Sequence, residues 1–358
     1  MNRRPDRAWL EVDLTALVNN ARAVQLWSGA TLIPMVKADA YGLGAAAVVR
    51  SLDALDPYAY GIATIGEGRA LRQAGIRARL IVFTPLLADE YADARELELT
   101  PTLGSAGEIE SWARLGGAWH LSIDTGMSRA GVPWRDVGAL RDLLADHAPE
   151  GAFTHFHSAE LDDGSMEEQE QCFRDAVESL PARPQMLHAE ASAAIVRHGR
   201  SEWDAIRPGI FLYGVATVPG AGLKPEPVIH VRARIVETRW IEVGDSVSYD
   251  ATYRAPSRRR IATIPMGYAD GYPRALSSRA SALASSGPVP ITGLVTMDMT
   301  MLDVTESACA VGDVVTFIGV GEGHDSIGIE DLAAISGISP YEIMTGLGTR
   351  LNRYYEGP

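Results

Sequence analysis

Residues 31–44 read TLIPMVKADAYGLG. The apolar run TLIPMV has the length of a buried strand. It stops at Lys37, and Gly42 and Gly44 set it off from the helical pattern GAAAVVRSLDAL at 44–55. Outward from this stretch, the same strand-then-helix rhythm repeats at a spacing of roughly 20 to 30 residues as far as residue 215. The candidate strands are TLIPMV (31–36), YGIAT (60–64), RLIVF (79–83), LTPTL (99–103), WHLSID (119–124), GAFTHF (151–156), PQMLHA (184–189) and AIRPGI (205–210). Between them lie further helical patterns, among them IGEGRALRQAG (65–75), AGEIESWARL (106–115) and QCFRDAVESL (171–180). Eight parallel strands in a stretch of this length predict an α/β fold, a closed TIM-like (β/α)8 barrel, because closure removes the two edges of an open sheet. A doubly wound open sheet is the alternative.

The character changes at PGAGLKPEPV (219–228), where prolines and glycines forbid a continuing helix and mark a linker. Beyond it the period is two: in VIHVRARIVETRWIEV, Val231, Ala233 and Ile235 alternate with Arg232 and Arg234. Turns at Gly244-Asp245 and Gly312-Asp313 precede the strand patterns SVSYDATY and VVTFIGV, and short helices are predicted near EDLAAIS and SPYEIMTG. The expected organisation is a barrel over residues 9–220 and a mainly β domain built from 1–8 and 229–358.

Composition narrows the function. The chain has 358 residues, 46% of them apolar, which is enough for two cores. A net charge of -14 argues against a nucleic-acid partner, since phosphate backbones need a basic face. MNRRPDRAWLEVD at the start has no following apolar stretch of signal length, and no run approaches ~20 apolar residues, so a cytoplasmic protein with no membrane partner is expected. Cys172 and Cys309 form no metal or disulfide pattern.

In such a barrel the reactive groups sit at the carboxyl ends of the strands. Lys37 follows the first, Asp124-Thr125-Gly126-Met127-Ser128-Arg129 the fifth, Thr154-His155-Phe156-His157 the sixth, Ser192 the seventh and Arg207-Pro208-Gly209-Ile210 the eighth. A lysine ending an apolar strand is expected to lose pKa through burial, and a neutral amine condenses with an aldehyde. The ordinary reading is a solvent-exposed loop lysine. Ser192 and the Gly209-Ile210 amides lie where barrels bind phosphate. Together they describe a site for a phosphorylated aldehyde.

Six blocks carry a resemblance: VKADAYGLG (36–44), DTGMSRAGV (124–132), THF (154–156), RPGIFLYG (207–214), IPMGYADGYPR (264–274) and TMDMTMLD (296–303). From Trp9 to Arg353 the chain resembles the alanine racemases, fold-type III pyridoxal-phosphate enzymes. The resemblance implies a two-base racemase that interconverts L- and D-alanine for cell-wall precursors. Lys37 then carries pyridoxal 5'-phosphate, and Tyr268 from the other subunit of a homodimer is the opposite base. It further implies that Arg129 and the Met297 main chain bind the substrate carboxylate. His155 and Arg207 surround the cofactor ring, and Tyr41, Ser192, Gly209 and Ile210 bind its phosphate. A permanent cation at Arg207, facing the pyridine nitrogen, disfavours protonation there, which is expected to suppress transamination.

The sequence departs from the family's usual pattern around the substrate. Ser122 stands where many members have a carbamylated lysine that steadies the carboxylate-binding arginine, here Arg129; a bound anion is one replacement. Ala191, Leu294, Met299, Thr349 and Asn352 also depart from common residues, and a widened entrance with broader substrate choice, including serine, is the alternative. Two remoter readings are a metal-dependent hydrolase using His155, His157 and His188, and a non-catalytic pyridoxal-phosphate carrier with the same barrel.

Overall fold

A computed structural model describes residues 6–357; the expectation for the start of the chain therefore lies partly, at residues 1–5, outside the described residues. Each of the eight expected strands is present: Thr31–Leu32, Tyr60–Ile62, Leu80–Val82, Leu99–Leu103, His120–Asp124, Gly151–Phe153, Met186–His188 and Ala205–Ile206. Neighbours pair in parallel. Main-chain bridges Met35–Gly61 and Ala191–Arg207 span the two remaining gaps, so the ring closes as a barrel, not an open sheet.

The predicted helices lie between them, at Ala45–Leu52, Ile65–Gln73, Ala106–Ala113 and, longer than its pattern, Ser165–Glu178. Their starts follow capping chemistry: Thr64 Oγ1 accepts the N–H of Glu67 at 3.2 Å, and Ser105 Oγ that of Glu108 at 3.4 Å. A helix not among those predicted, Leu14–Ser28, is capped by Asp13 and ended by Gly29 at φ 70°.

The barrel does not begin at residue 9. Strand Ala8–Asp13 pairs antiparallel with Ile229–Arg234 and parallel with Asn352–Glu356, so Ala8–Asp13 belongs to the second sheet. Its apolar side chains Leu10 and Val12 are fully buried there. That sheet continues through Val314–Val320, Ser281–Ala284 and Gly287–Pro290. The long period-two run divides: Ile229–Arg234 stays in this sheet, while Glu237–Ile241 joins Arg259–Ile264 and Thr300–Asp303 in a separate three-stranded sheet. SVSYDATY divides at a turn, Tyr249–Ala251, into the short strand Ser246–Val247 and the start of Tyr253–Arg254, which pairs back on it antiparallel. The two predicted terminal helices form at Ile329–Ser336 and Pro340–Thr345.

Candidate active site

At the carboxyl end of the first barrel strand the chain does something costly. Ala38, Asp39, Ala40 and Tyr41, immediately after Lys37, have φ of 54°, 53°, 54° and 57°, one turn of left-handed helix. For L-residues this conformation costs roughly 1–2 kcal/mol each. It persists because its surroundings hold it. Asp39 Oδ1 accepts the N–H of Ala45 at 2.7 Å, Arg353 donates to the Gly42 carbonyl at 2.9 Å, and the Tyr355 hydroxyl donates to that of Leu43 at 2.9 Å. The turn sends Lys37 and Tyr41 into one cavity of about 570 Å³.

Eight of the residues singled out from the sequence line that cavity: Lys37, Tyr41, Arg129, His155, Ser192, Arg207, Gly209 and Ile210. Burial lowers the pKa of the Lys37 amine, and the Arg129 and Arg207 cations push the same way against Glu67. The hydroxyl of Ser192 accepts the N–H of Gly209 at 2.9 Å. A Cβ at Gly209 would stand 2.5 Å from the Tyr41 hydroxyl oxygen, so the approach of these two segments requires glycine. Amine, cation, hydroxyls and close main chain thus meet in a space of ligand size, which fits a phosphorylated pyridine aldehyde.

Arg207 is buried, 3% exposed, and is held by main-chain carbonyls: those of His188 and Thr154 at 2.6 Å and of Ala189 at 2.9 Å. Burial brings its pKa down to about 9, with Glu190 opposing, so it stays cationic at neutral pH. Its Nη1 also donates to His188 Nδ1 at 2.8 Å, and His188 Nε2 lies 2.8 Å from His120 Nδ1. Because the guanidinium can only donate, His188 carries its proton on Nε2 and passes a hydrogen bond to His120. Both histidines are neutral: burial, with nearby cations, takes His120 down to about 3 and His188 well below its ordinary value. His155, 3.4 Å from Arg207 Nη2, is likewise pushed to about 3 by burial and by Arg207.

This chain answers the metal reading. His188 is engaged on both ring nitrogens, His157 turns to Ser158 at 2.7 Å, and a guanidinium against His188 and His155 repels a cation. The strand that was to place His155 and His157 on one face ends at Phe153. Among the described residues no group of three metal-ligating side chains gathers.

Tyr268 and Met297 do not line this cavity. They stand together on the second domain, exposed by 44% and 52%: the Tyr268 N–H donates to Thr296 and the Ala269 N–H to Met297, each at 3.0 Å. Gly267 makes that contact possible, since a Cβ there would come within 2.5 Å of the Met297 carbonyl oxygen. Ser122 is buried and lines two cavities, one of about 170 Å³ with Thr102 and Glu108 and a small one of about 40 Å³ that it shares with Arg129 and His155. Arg129 makes no hydrogen bond or ion pair among the described residues, Ser122 included. Glu67 is the residue that sequence reading missed; the Thr-x-x-Glu spacing at 64–67 was its signal.

The family pattern described as "Alanine racemase, N-terminal domain" matches residues 12–217, and "Alanine racemase, C-terminal domain" matches 228–355. The chain belongs to the alanine racemase family. It is 37% identical to an alanine racemase of Sorangium cellulosum over 99% of this chain and 100% of the relative. A Bartonella henselae alanine racemase solved with covalently bound pyridoxal phosphate superposes with a TM-score of 0.90 at 26% identity, covering 98% of this chain and 100% of the other. A histidine racemase from Leuconostoc mesenteroides superposes with a TM-score of 0.89 at 26% identity, covering 99% and 100%. The family's two-domain architecture is thus shared across racemases of different substrates.

Proposed function

We propose that the chain is a pyridoxal-phosphate-dependent amino-acid racemase that interconverts L- and D-alanine. The observation that carries this is the convergence of Lys37, Arg207, His155 and the Tyr41, Ser192, Gly209 and Ile210 group on one cavity, in a chain belonging to this family. When bound, the cofactor supplies the electron sink that makes the α-proton acidic. Lys37 would carry it, Tyr41, Ser192 and the Gly209 and Ile210 main chain would hold its phosphate, and Arg207 would hold a positive charge beside its ring.

Racemisation needs a proton removed on one face and returned on the other. The Lys37 amine serves one face and the Tyr268 hydroxyl the other, while Arg129 and the Met297 main chain hold the carboxylate. Tyr268 and Met297 are absent from the cavity of their own chain, which supports a homodimer in which each copy completes its partner's site. The second domain that presents them separates this reading from a barrel-only cofactor carrier. No described helix is long and apolar enough to cross a membrane. We place the enzyme in the cytoplasm, supplying D-alanine for cell-wall precursors.

A broader racemase is the second reading. It is favoured by Leu294 and Thr349 at the expected entrance and by the histidine racemase of the same fold. A chiral assay of the purified, cofactor-loaded protein against the common L-amino acids decides: turnover of alanine is the expected result, comparable turnover of serine or histidine makes the enzyme broad, and no racemisation of any amino acid refutes the function.

A further inference from the structure

Glu67 opens the helix Ile65–Gln73, three residues after its N-cap Thr64. In the usual capping box such a glutamate returns to the N-cap N–H. Here both carboxylate oxygens leave the box. Oε2 accepts the N–H of Ala63 at 2.7 Å, and Oε1 crosses to the neighbouring strand end and accepts the N–H of Ala38 at 2.7 Å. The helix Ala106–Ala113 provides an internal comparison. It starts with the same arrangement, Ser105 as cap and Glu108 three residues on, and Glu108 Oε2 accepts the N–H of Gly104 at 2.7 Å, the counterpart of Ala63. Only the second oxygen distinguishes the two, and in Glu67 it is spent on the peptide that follows Lys37.

That peptide is where the chain turns left-handed: Ala38 is the first of the four residues at positive φ. The far end of the turn is held by Asp39, Arg353 and Tyr355, and Val36 before it is bonded to Gly61. The junction between them is held by Glu67. We infer that Glu67 is the positioning residue of Lys37, tying the peptide after it to the end of the second barrel strand and so fixing the direction in which the amine enters the cavity. This rests on Lys37 being the cofactor lysine. The charged groups facing that amine are Arg129, Arg207 and Glu67, with His155 neutral and the Asp39 carboxylate turned to Ala45. Glu67 therefore also offsets two cations beside the amine.

The test uses the full-length protein stripped of cofactor. Hydrogen exchange of the segment 37–44 becomes about tenfold faster or more in Glu67→Ala, because a hydrogen bond to a charged group is lost. A glutamate that merely capped its own helix would loosen 63–68 alone, and that pattern overturns the proposal. In Glu67→Gln, limited acetylation with peptide mapping reads the Lys37 titration midpoint moving down, with the exposed linker lysine Lys224 as an unmoved reference. An unmoved Lys37 midpoint also overturns it. Should Glu67→Ala not fold, Glu67→Gln carries both readouts. Racemase turnover in the loaded Glu67→Gln protein is expected to fall about tenfold or more at little-changed KM. Whether Lys37 carries the cofactor is read separately, in the unsubstituted protein, so that failure there leaves the exchange result standing.

Discussion

Nη1 of Arg207 lies 2.8 Å from Nδ1 of His188, and the same guanidinium is otherwise held by neutral carbonyls and by the neutral His155, with no carboxylate in contact among the described residues. A cation kept in this way withholds a proton from whatever ring nitrogen faces it.

Replacing Arg207 by glutamate reverses that influence. Arg207→Glu is expected to raise the share of turnovers that end in transamination, measured as keto acid formed per racemisation event. It also orphans buried carbonyls, and a stability loss on the order of 3–5 kcal/mol accompanies it in urea titration. Unchanged partitioning between the two outcomes counts against the role assigned to Arg207.

The buried histidines make the fold sensitive to acid. His120 and His155 hold folded values near 3, and His188 lies well below its ordinary value, whereas unfolded histidine titrates near 6.5. As pH falls below about 6.5 the unfolded chain binds protons that the folded chain does not, so stability drops by up to about 1.4 kcal/mol per pH unit for each histidine. His198 acts in the opposite sense. Its bond to Glu190 raises its pKa, so its contribution is complete below the unfolded value and is lost as pH rises through the folded one. Urea titrations between pH 6.5 and 4 are predicted to show a shallower acid loss for His120→Phe, whereas His198→Gln leaves that limb unchanged and removes the part of the stability loss that the native protein shows as pH rises above about 6.5.

At Gly209 the prediction is steric. Gly209→Ala places a methyl group 2.5 Å from the Tyr41 oxygen, and Tyr41 is buried, so one of the two must move. Cofactor affinity should weaken about tenfold or more, and Gly209→Ala combined with Tyr41→Phe should recover part of the loss. Additive losses in fluorescence titrations would show that the two do not interact.

The shared site is tested by complementation. Lys37→Ala and Tyr268→Phe are each expected to be inactive. Dissociated, mixed and reassociated at random, they should regain about a quarter of the native activity, since half the dimers are mixed and each has one intact site of two. No recovery in verified mixed dimers places both residues in a single chain.

How much of this was legible in the sequence depends on whether a residue acts through its type or through its path. The barrel strands were, because apolar runs between punctuating glycines and helical patterns leave few alternatives. Strand Ala8–Asp13 was not, since its partners lie more than 200 residues away and no local period announces them. The site residues were named through block resemblance, and eight of them converge on one cavity. The left-handed turn escaped notice because KADAY contains no glycine at the four positions that need it; only tertiary bonds impose that conformation. Glu67 went unnoticed for the same reason, since its second hydrogen bond crosses to another strand. The divided run after residue 228 shows the limit of period-two reading, which identifies strands but not the sheet each one joins.

Everything proposed for the reaction requires the cofactor to be joined to the amine at position 37. The chain has two lysines, Lys37 in the cavity and Lys224 on the linker, so one measurement is unusually clean. Borohydride reduction of the cofactor-loaded protein followed by peptide mass mapping should place a pyridoxyl label on Lys37 and leave Lys224 bare. A label on Lys224, or an unlabelled Lys37 in fully loaded protein, contradicts the account.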